Sequence, residues 1–523
     1  MNPVTVSARN PIVVRRWDAV PDPAAAYDAL FAGRLGAFWL DGEYSAVLDG
    51  DPMSTLAADD RPGWGCSILG AADGPLGEFL SYDVETGTLA VRTAQTTRTY
   101  RVADIFSYLN EQIAARHITA PCGIPGDIAP GYVGYLGYEL KALTGGRAVH
   151  RSPFPDAALT FADRLLLLDH HSGATYALAL TGSASETWFA RVERALADAP
   201  TRHVRGPRSP SQLGPASVPT RQDAVVRLAA LAVTEEFSSP YPVTPRHDAA
   251  AYRARIEECR RDIAAGDAYE LCLTTMLTTP RVDPLRLFHT VRAVTPAPYA
   301  ALLEFPDAAV VCASPELFCT VDAAGWVTSG PIKGTRRRSA DPLVDAALRR
   351  DLATCAKDRA ENVMIVDLLR NDLGRVCRPG TIDVSRLCAV ETYPTVHQLV
   401  STIRGRLNPD ASAIDAVRAA FPPGSMTGAP KIRSMEILDA REGGPRGVYS
   451  GALGWFSLTG TARLAVVIRT AVIDADTVHI GTGGAITIDS DPDAEIAETA
   501  AKAAGMLHAI RLSRRPAAPY GSV

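Results

Sequence analysis

Apolar residues recur at helical spacing in three segments of the second half of the chain. They repeat every three or four residues in 247–267, where Gly266 closes the pattern, and again in 345–376 and 493–514. Residues three or four positions apart share one face of a helix, so the spacing predicts an amphipathic helix in each segment. The glycine after the first of them is a helix stop signal.

Shorter apolar runs, bounded by Gly, Asp and Ser, predict strands and hairpins. They occupy 35–42, 163–180, 269–279, 462–474 and 477–489. Strands and helices come in blocks rather than in regular βαβ alternation. This arrangement predicts a mixed α+β fold.

A break in composition divides the chain. Residues 199–223 are rich in Pro, Ser, Gly and Arg and have no apolar period. Such a composition is typical of a linker or a long exposed loop. We therefore predict an N-terminal region over 1–198, a linker or exposed loop over 199–246, and a second region over 247–515.

The composition excludes several classes of protein. The 523 residues carry a net charge of −5, which gives no reason to expect a nucleic-acid partner. No long apolar run that could span a membrane occurs, and the N-terminal residues lack the pattern of a secretory signal. The nine cysteines are odd in number and form no C-x-x-C pair, which argues against a disulfide framework and a zinc site. The sequence therefore predicts a cytoplasmic protein with reduced thiols.

Residues 329–338, SGPIKGTRRR, hold one lysine between a proline and a glycine. Pro331 fixes φ and Gly334 frees it, so the stretch predicts a defined turn that holds Lys333 at a set angle. The three arginines that follow would lower the pKa of this lysine toward its reactive free amine. The alternative is a solvated basic loop on the surface.

Two acidic patches lie in predicted helices. Asp358 and Glu361 are three positions apart, as are Glu495 and Glu498, and Lys502 follows one turn later. These spacings place each set on one helix face. Two such faces brought together would suit Mg²⁺, which binds few protein carboxylates and leaves positions for water and an anionic substrate. The alternative is two solvated helix faces with ordinary salt bridges.

Glycine-rich stretches add candidate anion sites. A predicted helix in 421–442 is preceded by glycines, and GTGG at 481–484 offers bare amides beside a strand. Neither stretch has the spacing of a P-loop or of G-x-G-x-x-G. Arg469, at the end of VVIR, is either a carboxylate ligand or a paired structural charge. Together with His397, this inventory favours a small substrate with two carboxylates.

Eight motifs follow one another from residue 314 onward: SPELF, GPIKGTRRR, ENVMIVDLLRNDLGRVC, ETYPTVHQLVS, PPGSMTGAPKIRSMEILDARE, RGVYSGALGWF, VVIRT and GTGGAITIDSDPDAEIAETAAKA. In this order they resemble the chorismate-utilising enzymes, which include anthranilate, aminodeoxychorismate, isochorismate and salicylate synthases. FWLDG and PGYVGYLGYELKA extend the resemblance to an N-terminal region similar to that of anthranilate synthase component I. It implies a large two-sheet α/β sandwich with helices outside, to which the N-terminal part contributes strands.

The resemblance also implies residue roles. The Mg²⁺ ligands it implies are Glu361 and Glu498, with Asp358 and Glu495 as close or water-mediated partners. The catalytic residues it implies are Lys333, the general acid Glu316, and His397 beside the reacting ring. The substrate-binding residues it implies are Gly334, Thr427, Tyr449, Arg469, Gly483, Gly484, Ala485 and Lys502.

Lys333 discriminates within that family. Aminodeoxychorismate synthases resemble this chain in PIKGT, whereas anthranilate synthases carry PIAGT. The resemblance implies that the lysine amine attacks ring carbon 2 of chorismate as the 4-hydroxyl departs, and that ammonia then adds at carbon 4 to give 4-amino-4-deoxychorismate. Members that use water carry a lysine base where this chain has Glu270, which disfavours isochorismate and salicylate synthesis. Anthranilate synthesis and a non-catalytic, dicarboxylate-binding subunit are the alternatives.

The predicted reaction needs a source of ammonia. No cysteine lies in the Gly-x-Cys-x-Gly setting of a fused glutaminase. The sequence therefore predicts a separate glutaminase subunit as the partner.

Overall fold

The computed structural model describes residues 12–43, 63–121, 123–182, 184–198, 242–393 and 396–514. Two large antiparallel sheets pack face to face, and helices cover their outer faces. The α+β class and the two-sheet sandwich are thus confirmed. The eight cysteines among these residues are free thiols, and Cys122 lies outside them.

The first sheet has 12 strands in the described part of the chain. In spatial order they are β1 (Ile12–Trp17), β10 (Ala174–Leu180), β9 (Arg164–Asp169), β3 (Ser67–Gly70), β2 (Ala37–Asp41), β13 (Tyr299–Glu304), β14 (Ala309–Ser314), β23 (Thr470–Ile473), β24 (Thr477–Ile486), β12 (Glu270–Pro280) and β11 (Thr244–Pro245), with β20 (Gly428–Ala429) paired to β12.

The second sheet also has 12 strands among the described residues. In spatial order they are β17 (Ile332–Arg337), β19 (Val396–Arg406), β16 (Trp326–Gly330), β15 (Leu317–Val321), β22 (Ala462–Val466), β21 (Ala452–Ser457), β7 (Gly131–Leu136), β8 (Ala157–Ala162), β4 (Glu78–Asp83), β5 (Thr88–Arg92) and β6 (Thr97–Arg101), with β18 (Asp383–Thr392) paired to β19.

Helices pack on both outer faces of the sandwich. They are α1 (Pro23–Leu30), α2 (Ile105–Ala115), α3 (Ser185–Asp198), α4 (Ala249–Ala264), α5 (Pro284–Val294), α6 (Pro342–Thr354), α7 (Ala356–Gly374), α8 (Ala413–Ala420), α9 (Lys431–Glu442) and α10 (Pro492–Ser513). None of these helices combines the length and the apolar character that crossing a membrane requires.

Successive side chains of a strand point to opposite faces of its sheet. This alternation separates the core between the two sheets from the cores beneath the outer helices. Phe38 and Leu40 of β2 share an inner cluster with Leu453 and Trp455 of β21, and this cluster joins the two sheets. Trp39, between the first two, belongs instead to the cluster under the helices that cover the first sheet. Successive residues of one buried strand therefore stabilise two different layers.

Both regions of the chain contribute strands to both sheets. Trp39 of β2 pairs with Leu302 of β13 in the first sheet, and Val133 of β7 pairs with Trp455 of β21 in the second. The expected N-terminal contribution to the sandwich is confirmed. The proposed division of the chain stays a prediction, and most of the predicted linker, 199–241, lies outside the described residues.

Two of the three long predicted helices are confirmed, as α4 and α10. The third prediction, one helix over 345–376, is wrong. The structure has two helices, α6 and α7, which meet at Cys355, where ψ is 110°. Neither glycine nor proline occurs in residues 343–373, which surround this break, so the sequence pattern did not indicate it.

The single strand predicted over 462–474 is also wrong. It is two strands, β22 in the second sheet and β23 in the first. The chain crosses between the sheets at Arg469, whose φ is 52°. Because both strands are buried, their apolar residues read as one continuous run.

Candidate active site

Lys333 and Glu270 join the two sheets at one end of the sandwich. Lys333 lies in β17, Glu270 is the first residue of β12, and the lysine ammonium donates a hydrogen bond to the glutamate carboxylate. Both side chains are buried, Glu270 completely. Burial lowers the pKa of Lys333, but the carboxylates of Glu270 and Glu361 raise it by more, so this pKa lies well above its ordinary value.

The expectation that the arginines lower the pKa of Lys333 is therefore wrong. Arg336 pairs with Asp358 at 3.0 Å, and Arg338 pairs with Asp345 at 2.9 Å. Their positive charges have carboxylate partners of their own. The charge nearest the lysine amine is the negative one of Glu270.

The backbone at Lys333 is a bulged strand instead of the predicted turn. The pairing of β17 with β19 shifts register between Ile332 and Thr335, and Gly334 has a φ of 84°. A Cβ at Gly334 would lie 2.8 Å from the Cβ of Asp358 in α7. Bulges re-aim neighbouring side chains, and here the missing Cβ lets α7 pack close to the strand that carries the lysine.

Glu316 lies in the short link between β14 and β15 and is buried. Burial raises its pKa to about 7, although the hydroxyl of Ser425 and the ammonium of Lys333 nearby act to lower it. Such a carboxyl keeps its proton up to nearly neutral pH. It can therefore act as a general acid.

The two acidic helix faces meet through a lysine. The Nζ of Lys357 in α7 lies 3.8 Å from the Oε1 of Glu361 and 3.1 Å from the Oε1 of Glu495 in α10. Sequence reasoning missed Lys357, although it precedes Glu361 by four residues. The solvated-face alternative does not hold for Glu361 and Glu495, since both are buried.

The carboxylates of the two helices differ in their electrostatics. Burial raises the pKa of Glu361 to about 7, against the effect of Lys333. Glu498 is half-buried and pairs with Lys502 at 2.9 Å, and this ammonium lowers the pKa of Glu498 to about 2. The Lys502 amine also donates to the carbonyl of Gly483 at 3.0 Å.

One observation indicates that the carboxylates of α7 and α10 could bind a divalent cation. The Oε1 of buried Glu361 has no hydrogen-bond partner, because the Nζ of Lys357 at 3.8 Å is beyond hydrogen-bond distance, and a buried carboxylate oxygen in this state is costly unless a cation or donor reaches it. Within the described residues, Asp, Glu, His and Cys side chains form no group of three or more that could hold a metal. Mg²⁺ commonly uses one or two carboxylates and completes its shell with water and substrate, so Glu361 and Glu498 suit it.

Arg469 lies on the other side of the candidate site, immediately before β23 in the first sheet. Strand β23 pairs with β24 only as far as Ile480, because the chain arrives from the other sheet at Arg469. The exposed Arg469 donates to the carbonyl of Lys502 at 3.0 Å. Its positive φ is uncommon for a non-glycine residue, and such conformations cluster at functional sites.

The glycines of β24 allow close approach. A Cβ at Gly481 would collide with the Tyr449 ring, and one at Gly484 would lie 3.3 Å from the Oε2 of Glu495. Gly483 and Ala485 pair with β12. Beyond Ile480, within the described residues, the opposite side of β24 has no strand partner, so alternate amides there can bind an anion.

His397 and Thr427 are held by different networks. The buried His397 has a partner at each ring nitrogen, the Oγ1 of Thr392 at 2.9 Å and the Oδ1 of Asp345 at 3.1 Å. Thr427 follows a short 3-10 turn, and its carbonyl accepts the amide of Cys272 at 3.0 Å. Thr427 therefore lies beside the start of β12, whereas the contacts of His397 are with α6 and β18.

Beneath the site lies a buried arginine that sequence reasoning missed. Arg446 donates to Glu442 at 2.7 Å, to the carbonyl of Met426 at 2.5 Å and to that of Cys272 at 2.8 Å. The spacing of four residues from Glu442 was the available signal. Through these hydrogen bonds Arg446 links the turn before Thr427 to β12.

Comparisons with known proteins identify relatives of this chain. The profile of the chorismate binding enzyme family matches residues 53–508. The aminodeoxychorismate synthase of Streptomyces pristinaespiralis is 48% identical over 95% of this chain and 65% of its own length, and that of Streptomyces griseus is 46% identical over 94% and 62%. The crystal structure of anthranilate synthase component I from Streptococcus pneumoniae TIGR4 has a TM-score of 0.66 and 26% identity, and the match covers 87% of this chain and 94% of that one.

The fold and the site thus define a two-sheet α+β protein of the class to which anthranilate synthase component I belongs. The chain belongs to the chorismate binding enzyme family. It spans less than two thirds of the length of the two streptomycete relatives.

Proposed function

We propose that this chain converts chorismate and ammonia to 4-amino-4-deoxychorismate, as the chorismate-aminating part of an aminodeoxychorismate synthase. The observation that carries the proposal is the placement of Lys333. Its amine is buried at the junction of the two sheets, close to the acidic faces of α7 and α10. The names of the two streptomycete relatives support the same reaction.

The first step forms a covalent adduct. The free amine of Lys333 attacks ring carbon 2, the ring double bonds shift, and the bond between carbon 4 and its hydroxyl oxygen breaks. Glu316 gives its proton to that oxygen, which leaves as water. Covalent catalysis divides one difficult substitution into two easier ones.

In the second step ammonia takes the place of the lost hydroxyl. Its nitrogen bonds to carbon 4, the double bonds shift back, and the bond between carbon 2 and Lys333 breaks. The new amino group loses a proton and the departing lysine gains one. A separate glutaminase subunit in the cytoplasm would supply the ammonia.

Substrate binding divides between the two parts of the site. Glu361 and Glu498, with Asp358 and Glu495 near them, would hold Mg²⁺, which when bound neutralises the ring carboxylate and makes the ring electron-poor. On the other side, Arg469 and the amides of 483–485 would bind the enolpyruvyl carboxylate.

The test is a product assay. The purified chain is incubated with chorismate, Mg²⁺ and ammonium, and the product is identified by mass. We expect 4-amino-4-deoxychorismate without release of pyruvate. Fluorescent anthranilate together with pyruvate would show the alternative reaction, and chorismate binding without turnover would show a non-catalytic subunit.

A further inference from the structure

Glu270 contacts the reacting lysine but has no role in the two steps of the proposed reaction. Its side chain is completely buried and contacts the Nζ of Lys333. Its backbone is fixed, since Glu270 pairs with Ala429 of β20 and the amide of Tyr269 donates to the carbonyl of Ala429 at 2.8 Å. Its other carboxylate oxygen, Oε2, has no hydrogen-bond partner.

The reaction requires a proton to leave Lys333 and later to return. An ammonium has no free electron pair for attack on carbon 2, so the proton must move before the bond forms. When ammonia adds at carbon 4 and the bond to carbon 2 breaks, the lysine nitrogen regains its electron pair and takes up a proton. Both steps need a group in contact with Nζ.

The other titratable groups facing Lys333 have different positions or tasks. They are Glu361 of α7, Cys272 of β12, Glu316 of the β14–β15 link and Glu498 of α10. Glu361 and Glu498 face the proposed cation, and Glu316 serves the departing hydroxyl. Burial raises the pKa of the Cys272 thiol, so this group stays protonated at neutral pH and does not accept the lysine proton. Glu270 is the carboxylate that contacts the amine.

We propose that Glu270 accepts the proton of Lys333 as the amine attacks ring carbon 2, holds it while the carbon–nitrogen bond exists, and returns it when the amine leaves. This inference rests on the proposed lysine adduct. The cycle is balanced, because one proton moves from nitrogen to the carboxylate and back. No water is needed for the transfer between these two buried groups.

The pKa of Lys333 lies well above its ordinary value, so the amine does not lose its proton to solvent at neutral pH. Attack therefore needs an acceptor that the amine contacts, and the carboxylate of Glu270 already accepts its hydrogen bond.

The first test is Glu270→Gln, which keeps a hydrogen-bond acceptor for Lys333 and removes the proton acceptor. We expect kcat with ammonium to fall by about 100-fold or more, as for other general acid–base groups, with little change in the KM for chorismate. Glu270→Asp should recover part of the rate. Glu436→Gln, on the exposed face of α9, is the matched control and should leave the rate unchanged.

The second test separates proton transfer from positioning. In Glu270→Ala, formate and formamide can both fill the space and both accept a hydrogen bond, but formate alone can take a proton at neutral pH. We expect added formate to increase the rate at least severalfold and formamide to leave it unchanged. Equal recovery with both, or wild-type turnover in Glu270→Gln, would overturn the proton role.

The same experiments distinguish a failure of this inference from a failure of the proposed function. Wild-type turnover in Lys333→Ala would remove the covalent step itself. Loss of turnover in Lys333→Ala without loss in Glu270→Gln would remove the role of Glu270 alone.

Discussion

Two buried charged clusters lie close together in this molecule and differ in how completely they are bonded. In the Arg446 cluster (Glu139, Glu442 and Arg446), the charged groups have several partners each. Glu442 accepts from the amide and hydroxyl of Thr274 at 2.8 and 2.9 Å, and Glu139 accepts from the amides of Arg446 and Gly447, both at 2.9 Å.

In the Lys333 cluster (Glu270, Lys333 and Glu361), two carboxylate oxygens lack hydrogen-bond partners. A fully bonded buried network rigidifies a fold, whereas an unsatisfied one calls for a separate explanation. The difference indicates that the Arg446 cluster shapes the site and that the Lys333 cluster is arranged for a ligand.

The largest expected effect is on turnover, in the Lys333 cluster. Lys333→Arg keeps the positive charge opposite Glu270 but lacks a nucleophilic amine. We expect turnover with ammonium to fall by at least about 1,000-fold, about 4 kcal/mol of transition-state stabilisation, while chorismate still binds in calorimetry. Unchanged turnover in this variant and in Lys333→Ala would mean that the amine does not react.

The next effect is on folding and tests the other cluster. Arg446→Met leaves the carboxylate of Glu442 buried without its cation, so we expect a loss of about 3–5 kcal/mol in the free energy of unfolding. Glu361→Gln, which removes a poorly compensated charge, should cost little stability in metal-free protein. Urea unfolding of both variants measures the contrast, and equal losses would show that the clusters do not differ.

A smaller effect concerns the metal. In Glu361→Gln and Glu498→Gln, we expect Mg²⁺ to support chorismate binding only at concentrations about 10- to 100-fold higher. Calorimetric titration of chorismate over a series of Mg²⁺ concentrations gives this shift, with Glu436→Gln as the control. If the metal dependence stays the same in both variants, the cation is held elsewhere.

The smallest effect is a pH dependence. Because the pKa of Glu316 is raised to about 7, its acid form is present below that pH and is lost above it. With the concentration of free ammonia held constant, kcat should therefore decline as the pH rises through about 7. A flat profile from acidic to alkaline pH would show that the proton for the hydroxyl comes from another group.

Much of the fold and of the site was predictable because it depends on local spacing. The helices α4 and α10 followed from apolar residues three and four positions apart. Glu361 and Glu495, taken from acidic spacing and from the family resemblance, do lie on helix faces that meet. What could not be predicted were the contacts made by residues distant in sequence, such as Lys333 with Glu270.

The sequence by itself determined which segments are apolar, which carboxylates share a helix face and where a lysine stands between Pro331 and Gly334. Tertiary structure decided the charge around that lysine. Glu270 is 63 positions away along the chain, and it raises a pKa that the neighbouring arginines were expected to lower. Electrostatic effects depend on distance in space and on burial, and both are fixed only when the two sheets come together.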